Sequence, residues 1–180
     1  MTLAACAHWL RERGVSIDWL KTLASSGVYA VLIGTFGLQI ARVQGVSMAP
    51  TLEDEDRLIV NKIVYRFREA RPGDIVMFYY PVRPELSFVK RVIASGGDIV
   101  SIVDGNVFVN DSRVDDDFIP PDFRSHDDWG PQVIPEGYDF VMGDHRNSSS
   151  DSREWGMVPK KYIVGKVQVR WWPPSSVRMF

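Results

Sequence analysis

At 180 residues the chain is long enough for one domain with its own core, and for two only if both are small. Hydrophobic residues at 45% and charged residues at 24% exclude a disordered chain, and a formal net charge of -2 removes the global electrostatic reason to expect nucleic acid. The lone cysteine, Cys6, excludes an intrachain disulfide and a cysteine zinc cluster, and His8, His126 and His145 lack His-x-x-x-His spacing, so no metal or cofactor is expected.

Residues 22–41 read TLASSGVYAVLIGTFGLQIA, twenty positions without a charge. A helix of that length crosses a hydrocarbon core of roughly 30 Å. Trp19 and Lys21 on one side and Arg42 on the other suit the interfaces. A cleaved signal peptide has a shorter apolar region and a small-x-small site, for which only Val43-x-Gly45 offers a match. The pattern predicts a short N-terminal segment over 1–21, an uncleaved transmembrane anchor over 22–41 and a domain over 42–180. Arg11, Arg13 and Lys21 precede the span but Arg42 and Arg57 follow it, so charge alone does not orient it.

Beyond residue 42 the signals are those of strands. RLIVNKIVY (57–65), GDIVMFYYP (73–81) and FVKRVIAS (88–95) are β-branched and aromatic runs bounded by turn residues. IVSIV, Asp104-Gly105 and NVFVN predict a hairpin with a tight positive-φ turn. Residues 110–137, rich in Asp and Pro, read as a surface excursion, and YDFVMGD and KVQVRWW as closing strands. The whole predicts a mainly β fold, a compact antiparallel domain. The acidic runs Glu53–Asp56, Asp115–Asp117 and Asp127-Asp128 lack the calcium-loop pattern and are expected on solvated loop faces.

Two residues invite a chemical reading. Ser47 lies in the Gly- and Pro-flanked turn GVSMAP, six positions after Ala41. A serine hydroxyl is a weak nucleophile until a base takes its proton. Alternation in FVKRVIAS puts Lys90 on one face with Phe88, Val92 and Ala94, and Arg91 on the other with Val89 and Ile93. A lysine among apolar neighbours is costly unless neutral or paired, and a neutral lysine is a base. Taken singly, a Ser-Met turn is usually only a turn and a Lys-Arg pair at a sheet edge usually reaches water.

Together, GVSMAPTL, RLIVNKI, GDIVMF, FVKRVIASGGD and VMGDHRNSSSDSREWGMVP stand in the order of the bacterial type I signal peptidases, which the chain resembles from about residue 43 onward. The resemblance implies a membrane-anchored β serine endopeptidase that removes signal peptides after Ala-x-Ala-type motifs from exported preproteins. Its domain would lie on the extracytoplasmic side of the cell membrane as a single-pass protein. Its partners would be those preproteins, membrane lipid and the protein-export machinery, with no nucleic acid. By motif position, Ser47 would be the nucleophile and Lys90 the general base; the endoplasmic-reticulum branch has histidine there. Ser149 matches the hydroxyl that orients the lysine, and Asp151 and Arg153 a buried pair that holds the site. Gly143 and Asp144 open the last of these motifs, and Met48, Arg91 and Arg146 complete the supporting set. Gly45 stands where many members carry a serine that helps hold the oxyanion, which leaves that task to the Ser47 N–H and other donors. His145, often Asn in those relatives, receives no role. The self-cleaving SOS repressors share the dyad but cut Ala-Gly or Cys-Gly, neither of which occurs here. The strand RLIV with Met48 is expected to line shallow pockets for small substrate side chains.

Overall fold

The computed structural model of the chain describes residues 17–32, 34 and 37–180. Cys6, His8, Arg11 and Arg13, with the rest of 1–16, lie outside them. The chain forms two units, one ending at Leu38 and the other running from Gln39 to Phe180. The first contains α1 (Ile17–Leu32), in which Thr22 donates to the Asp18 carbonyl and Ser25 and Ser26 donate to that of Thr22. Of the span expected over 22–41, residues 22–32 are helical, whereas Leu38–Arg42 is a strand, β1, paired with β2 (Arg57–Asn61). LQIAR alternates exposed and half-buried positions, a period of two that a helix cannot use. Among the described residues no helix is long and apolar enough to cross a membrane.

The second unit is built from two antiparallel sheets. The larger runs β1, β2, β11 (Ile163–Trp172), β3 (Ile75–Tyr79), β4 (Ser87–Ser95), β9 (Tyr138–Met142) and β10 (Val158–Pro159), with β12 (Arg178–Met179) on β11. The smaller has the order β7 (Ser112–Arg113), β6 (Asn106–Val109), β5 (Ile99–Val103), β8 (Trp129–Val133). β3 lies between β11 and β4 with both faces covered, which is why IVMF reads as a continuous apolar run. The larger sheet is rolled. β1 and β4 are separated by three strands, yet Ala41 and Val89 pack on one core of Val43, Met48, Leu52, Leu58, Val60, Ile75, Met77 and Val167. A register shift between Val92 and Ala94 breaks the alternation in β4. Ile93 and Ala94 therefore both enter a second core with Val100, Ile102, Val107, Ile134, Phe140 and Met142, which joins the sheets.

The hairpin forms as expected, with Asp104 at φ 46 and Gly105 at φ 74. A Cβ at Gly105 would lie 1.8 Å from the Ser125 carbonyl oxygen, so the turn admits glycine alone. RLIVNKIVY is a strand only to Asn61. Asn61 Oδ1 then accepts the Ile63 and Val64 N–H groups and opens the short α2 (Val64–Phe67). Residues 110–137 are no mere excursion: they supply β7, β8 and the buried Ile119 and Ile134. The acidic runs are not wholly on solvated loop faces. Asp56 and Asp116 are buried, and Asp56 pairs with Arg170 at 3.0 Å.

Candidate active site

Ser47 sits on a turn tied at both ends. The Val43 N–H donates to the Asp56 carbonyl and Val43 accepts from the Glu55 N–H. Gly45, at φ 90, donates its N–H to Asp54 Oδ1 at 2.8 Å. Beyond the serine, the Ala49 N–H closes on the Val46 carbonyl and the Leu52 N–H on that of Met48, whose side chain is buried in the core. Glycine meets the left-handed backbone at 45 without strain, so the polypeptide turns there just ahead of Ser47. Among the described residues the Ser47 N–H is not hydrogen-bonded.

Lys90 comes from β4, paired with Val76 of β3 and only 3% exposed. Its Nζ donates to Ser47 Oγ at 2.6 Å and lies 5.9 Å from the centre of the Phe88 ring. Desolvation lowers its pKa to about 8, against the opposing pull of Asp151. With the amine neutral, the same contact runs the other way and the hydroxyl donates. A hydroxyl on a neutral amine, out of bulk water, is the pairing that proton abstraction requires.

Behind the pair lies a partly buried set of alternating charges. Asp144 takes a two-pronged contact from Arg91, the neighbour of Lys90, at 2.8 and 2.6 Å. Asp151 accepts the Gly143 N–H at 3.0 Å, grips Arg153 at 2.8 and 2.9 Å, and caps the short α3 (Ser152–Trp155). Arg153 reaches on to Asp127 and to the Arg146 carbonyl. Arg146 and Arg124 share Asp116, at 3.0 and 3.1 Å. A Cβ at Gly143 would stand 2.2 Å from Ser149 Oγ and 2.3 Å from the Ser47 carbonyl oxygen, so this loop passes directly beneath the serine.

The structure thus brings together Ser47, Lys90, Gly45, Met48, Arg91, Gly143, Asp144, Arg146, Ser149, Asp151 and Arg153. Ser149 Oγ, however, is buried without a hydrogen bond, so the expected contact with Lys90 is not made. A cleft of about 320 Å³ beside Ser47 is lined by Arg42–Gln44, Met48, Leu86–Lys90 and Ser150. RLIV does not line it. Leu58 and Val60 point into the core, and the walls are the end of β1 and the start of β4. Three contributors escaped sequence reasoning: Asp54, which fixes Gly45; Asp116, which fixes Arg146; and His145. The His145 N–H donates to the Ser47 carbonyl, and its ring Nδ1 lies 3.1 Å from that of Val46.

The family model described as Signal peptidase, peptidase S26 matches residues 16–172. The chain is 40% identical over 170 residues to a signal peptidase I of Leptolyngbya laminosa, covering 89% of this chain and 82% of the relative. It is 43% identical over 144 residues to a probable thylakoidal processing peptidase 2 of Arabidopsis thaliana, covering 75% of this chain and 38% of the relative. The crystal structure of a signal peptidase I from Enterococcus faecalis aligns at a TM-score of 0.50 and 25% identity, covering 56% of this chain and 98% of that one. The chain therefore belongs to the signal peptidase family, peptidase S26.

Proposed function

We propose that the protein is a serine endopeptidase that removes signal peptides from exported preproteins, with Ser47 as nucleophile and Lys90 as general base. The observation that carries this is the 2.6 Å contact between a buried lysine and the serine hydroxyl. Neutral Lys90 takes the proton from Ser47 Oγ as the oxygen bonds to the scissile carbonyl carbon. The oxyanion faces the Ser47 N–H, a donor left free for it. The protonated amine then gives its proton to the departing nitrogen, leaving an ester on Ser47. Water, deprotonated by the same lysine, hydrolyses that ester.

Substrate placement follows from the sheet. β9 pairs with Arg91–Ser95 and not with Ser87–Lys90, so that edge of β4 lies open along the cleft. An extended peptide can add there as a further strand between β4 and the end of β1. Alternate residues of a strand face one way, so the first and third positions before the cut share the wall formed by Val43, Met48 and Val89. Met48 and Val43 are nearly fully buried and leave room for small side chains, which supports an Ala-x-Ala preference. The exposed Trp19, Leu23, Val28, Tyr29 and Val31 of α1, whose Thr and Ser hydroxyls are bonded within the helix, support seating in lipid. On that reading the catalytic domain is extracytoplasmic and Ser47 works at the membrane surface.

The test is a detergent extract offered a preprotein with an Ala-x-Ala site, using the unaltered chain, Ser47→Ala, Lys90→Ala and Lys90→Arg. One cut at the expected bond by the unaltered chain alone is the expected result. Lys90→Arg is inactive because guanidinium keeps its proton. Substantial cutting by any variant overturns the assignment. Seating at the surface is tested by kcat/KM for the inserted preprotein in lipid against a short soluble peptide, with the preprotein expected to be favoured.

A further inference from the structure

We infer that His145 is a positioning residue of this peptidase, clamping the backbone on both sides of Ser47; the inference rests on the Ser47–Lys90 reading above. Three consecutive residues of the loop after β9 each hold a different part of the site. Gly143 is tied to Asp151. Asp144 holds Arg91, next to the base. His145 holds the nucleophile's turn through its main chain and its ring. Its N–H donates to the Ser47 carbonyl at 3.1 Å, and its Nδ1 meets the Val46 carbonyl at 3.1 Å. Residues 144 and 145 thereby span, in one peptide unit, the neighbour of Lys90 and the two carbonyls that flank Ser47.

An ordinary loop histidine that found the nearest carbonyl would look different. The Val46 carbonyl already accepts the Ala49 N–H at 2.9 Å, so the ring fills its second acceptor site. The ring is also held in place against Phe123, with centroids 4.6 Å apart. A carbonyl only accepts, so Nδ1 must carry the proton, and the neutral Nδ1–H tautomer is sufficient. The clamp therefore needs a donor at one place rather than a charge. It acts on the Ser47–Lys90 distance and not on the cleft wall, from which His145 is absent.

The experiment compares His145→Ala, His145→Asn and His145→Gln with the unaltered chain and Ser47→Ala, measuring kcat and KM separately on one preprotein substrate. The Asn amide nitrogen branches from Cγ, as Nδ1 does, and can reach the same carbonyl; the Gln amide is one atom too far. His145→Ala and His145→Gln are expected to lower kcat by about 10–100-fold, the scale of an ångström-level misplacement, with KM within about twofold. His145→Asn is expected to stay within about threefold of the unaltered kcat. Equal impairment of Asn and Gln, a loss confined to KM, or an unchanged kcat in Ala or Gln overturns the clamp. If His145→Ala does not fold, the Asn–Gln pair decides alone. A Ser47→Ala enzyme that still cuts would bring down the dyad and this inference with it. A dead Ser47→Ala beside a fully active His145→Gln would bring down only the clamp.

Discussion

Lys90 is an amine that water scarcely reaches, and its proton pays the cost. Burial lowers its pKa to about 8 from the ordinary 10.5, so the free enzyme gains its base as pH rises through about 8. We expect kcat/KM to climb along a limb near that value; a limb near 10.5 would mean the amine is solvated. Stability carries the same signature. The folded state binds the proton more weakly than the unfolded one, so stability contributed by Lys90 rises between about pH 8 and 10.5 and is flat outside that window. Lys90→Met should be inactive yet more stable at pH 7 by about 1 kcal/mol, which is about 2–4 °C in melting temperature for a chain of this size. That advantage should shrink as pH passes from 8 to 10.5; an advantage independent of pH would assign it to packing. The strand FVKRVIAS made this lysine legible, since Phe88 and Val92 stand at its own parity. His145 was not legible, because its partner Val46 is 99 residues away and histidine in a polar loop carries no period.

At the scale of elements, the loop from Gly143 to Arg146 works because buried charges brace it from below. Asp116 lies between Arg124 and Arg146, and removing its carboxylate leaves a guanidinium 2% exposed without its counter-ion. Asp116→Ala should cost about 3–5 kcal/mol in denaturant unfolding, and a loss under 1 kcal/mol would show the ion pair to be dispensable. Gly143→Ala tests the other side of the loop. Its methyl would meet the Ser47 carbonyl at 2.3 Å, so the serine turn must move. We expect a roughly 10²-fold fall in kcat with about 1–3 kcal/mol lost in stability. Unaltered kcat would mean the turn yields without harm to the site. Acidic runs mislead at this scale because a solvated Asp and a buried one have the same local sequence. What separates Asp116 from Asp115 is Arg146, thirty residues on. The run LQIA misled for a different reason. Joined to an apolar helix it lengthens the uncharged stretch, and only its alternation marks it as a strand.

For the whole molecule, the two sheets and the cores they bury lie within 38–180. Deleting residues 1–37 should leave kcat/KM on a soluble Ala-x-Ala peptide within about threefold while abolishing preference for the inserted preprotein in lipid. A collapse of the peptide activity would give α1 a part in the fold itself. The roll that brings β1 to β4 has a further consequence for turnover. With the substrate docked as proposed, pairing along Ser87–Lys90 engages the part upstream of the cut, and cutting changes none of those hydrogen bonds. The severed leader is then as well docked as the intact preprotein was, and it departs only by peeling strand from strand. Such an enzyme is governed by eviction: free leader peptides should compete with preprotein. A helper that extracts leaders, such as a bilayer that absorbs them or a protease that digests them, should raise steady-state rates without touching the chemical step. Preprotein cleavage unaffected by excess leader would show that the strand lets go as soon as the bond is broken.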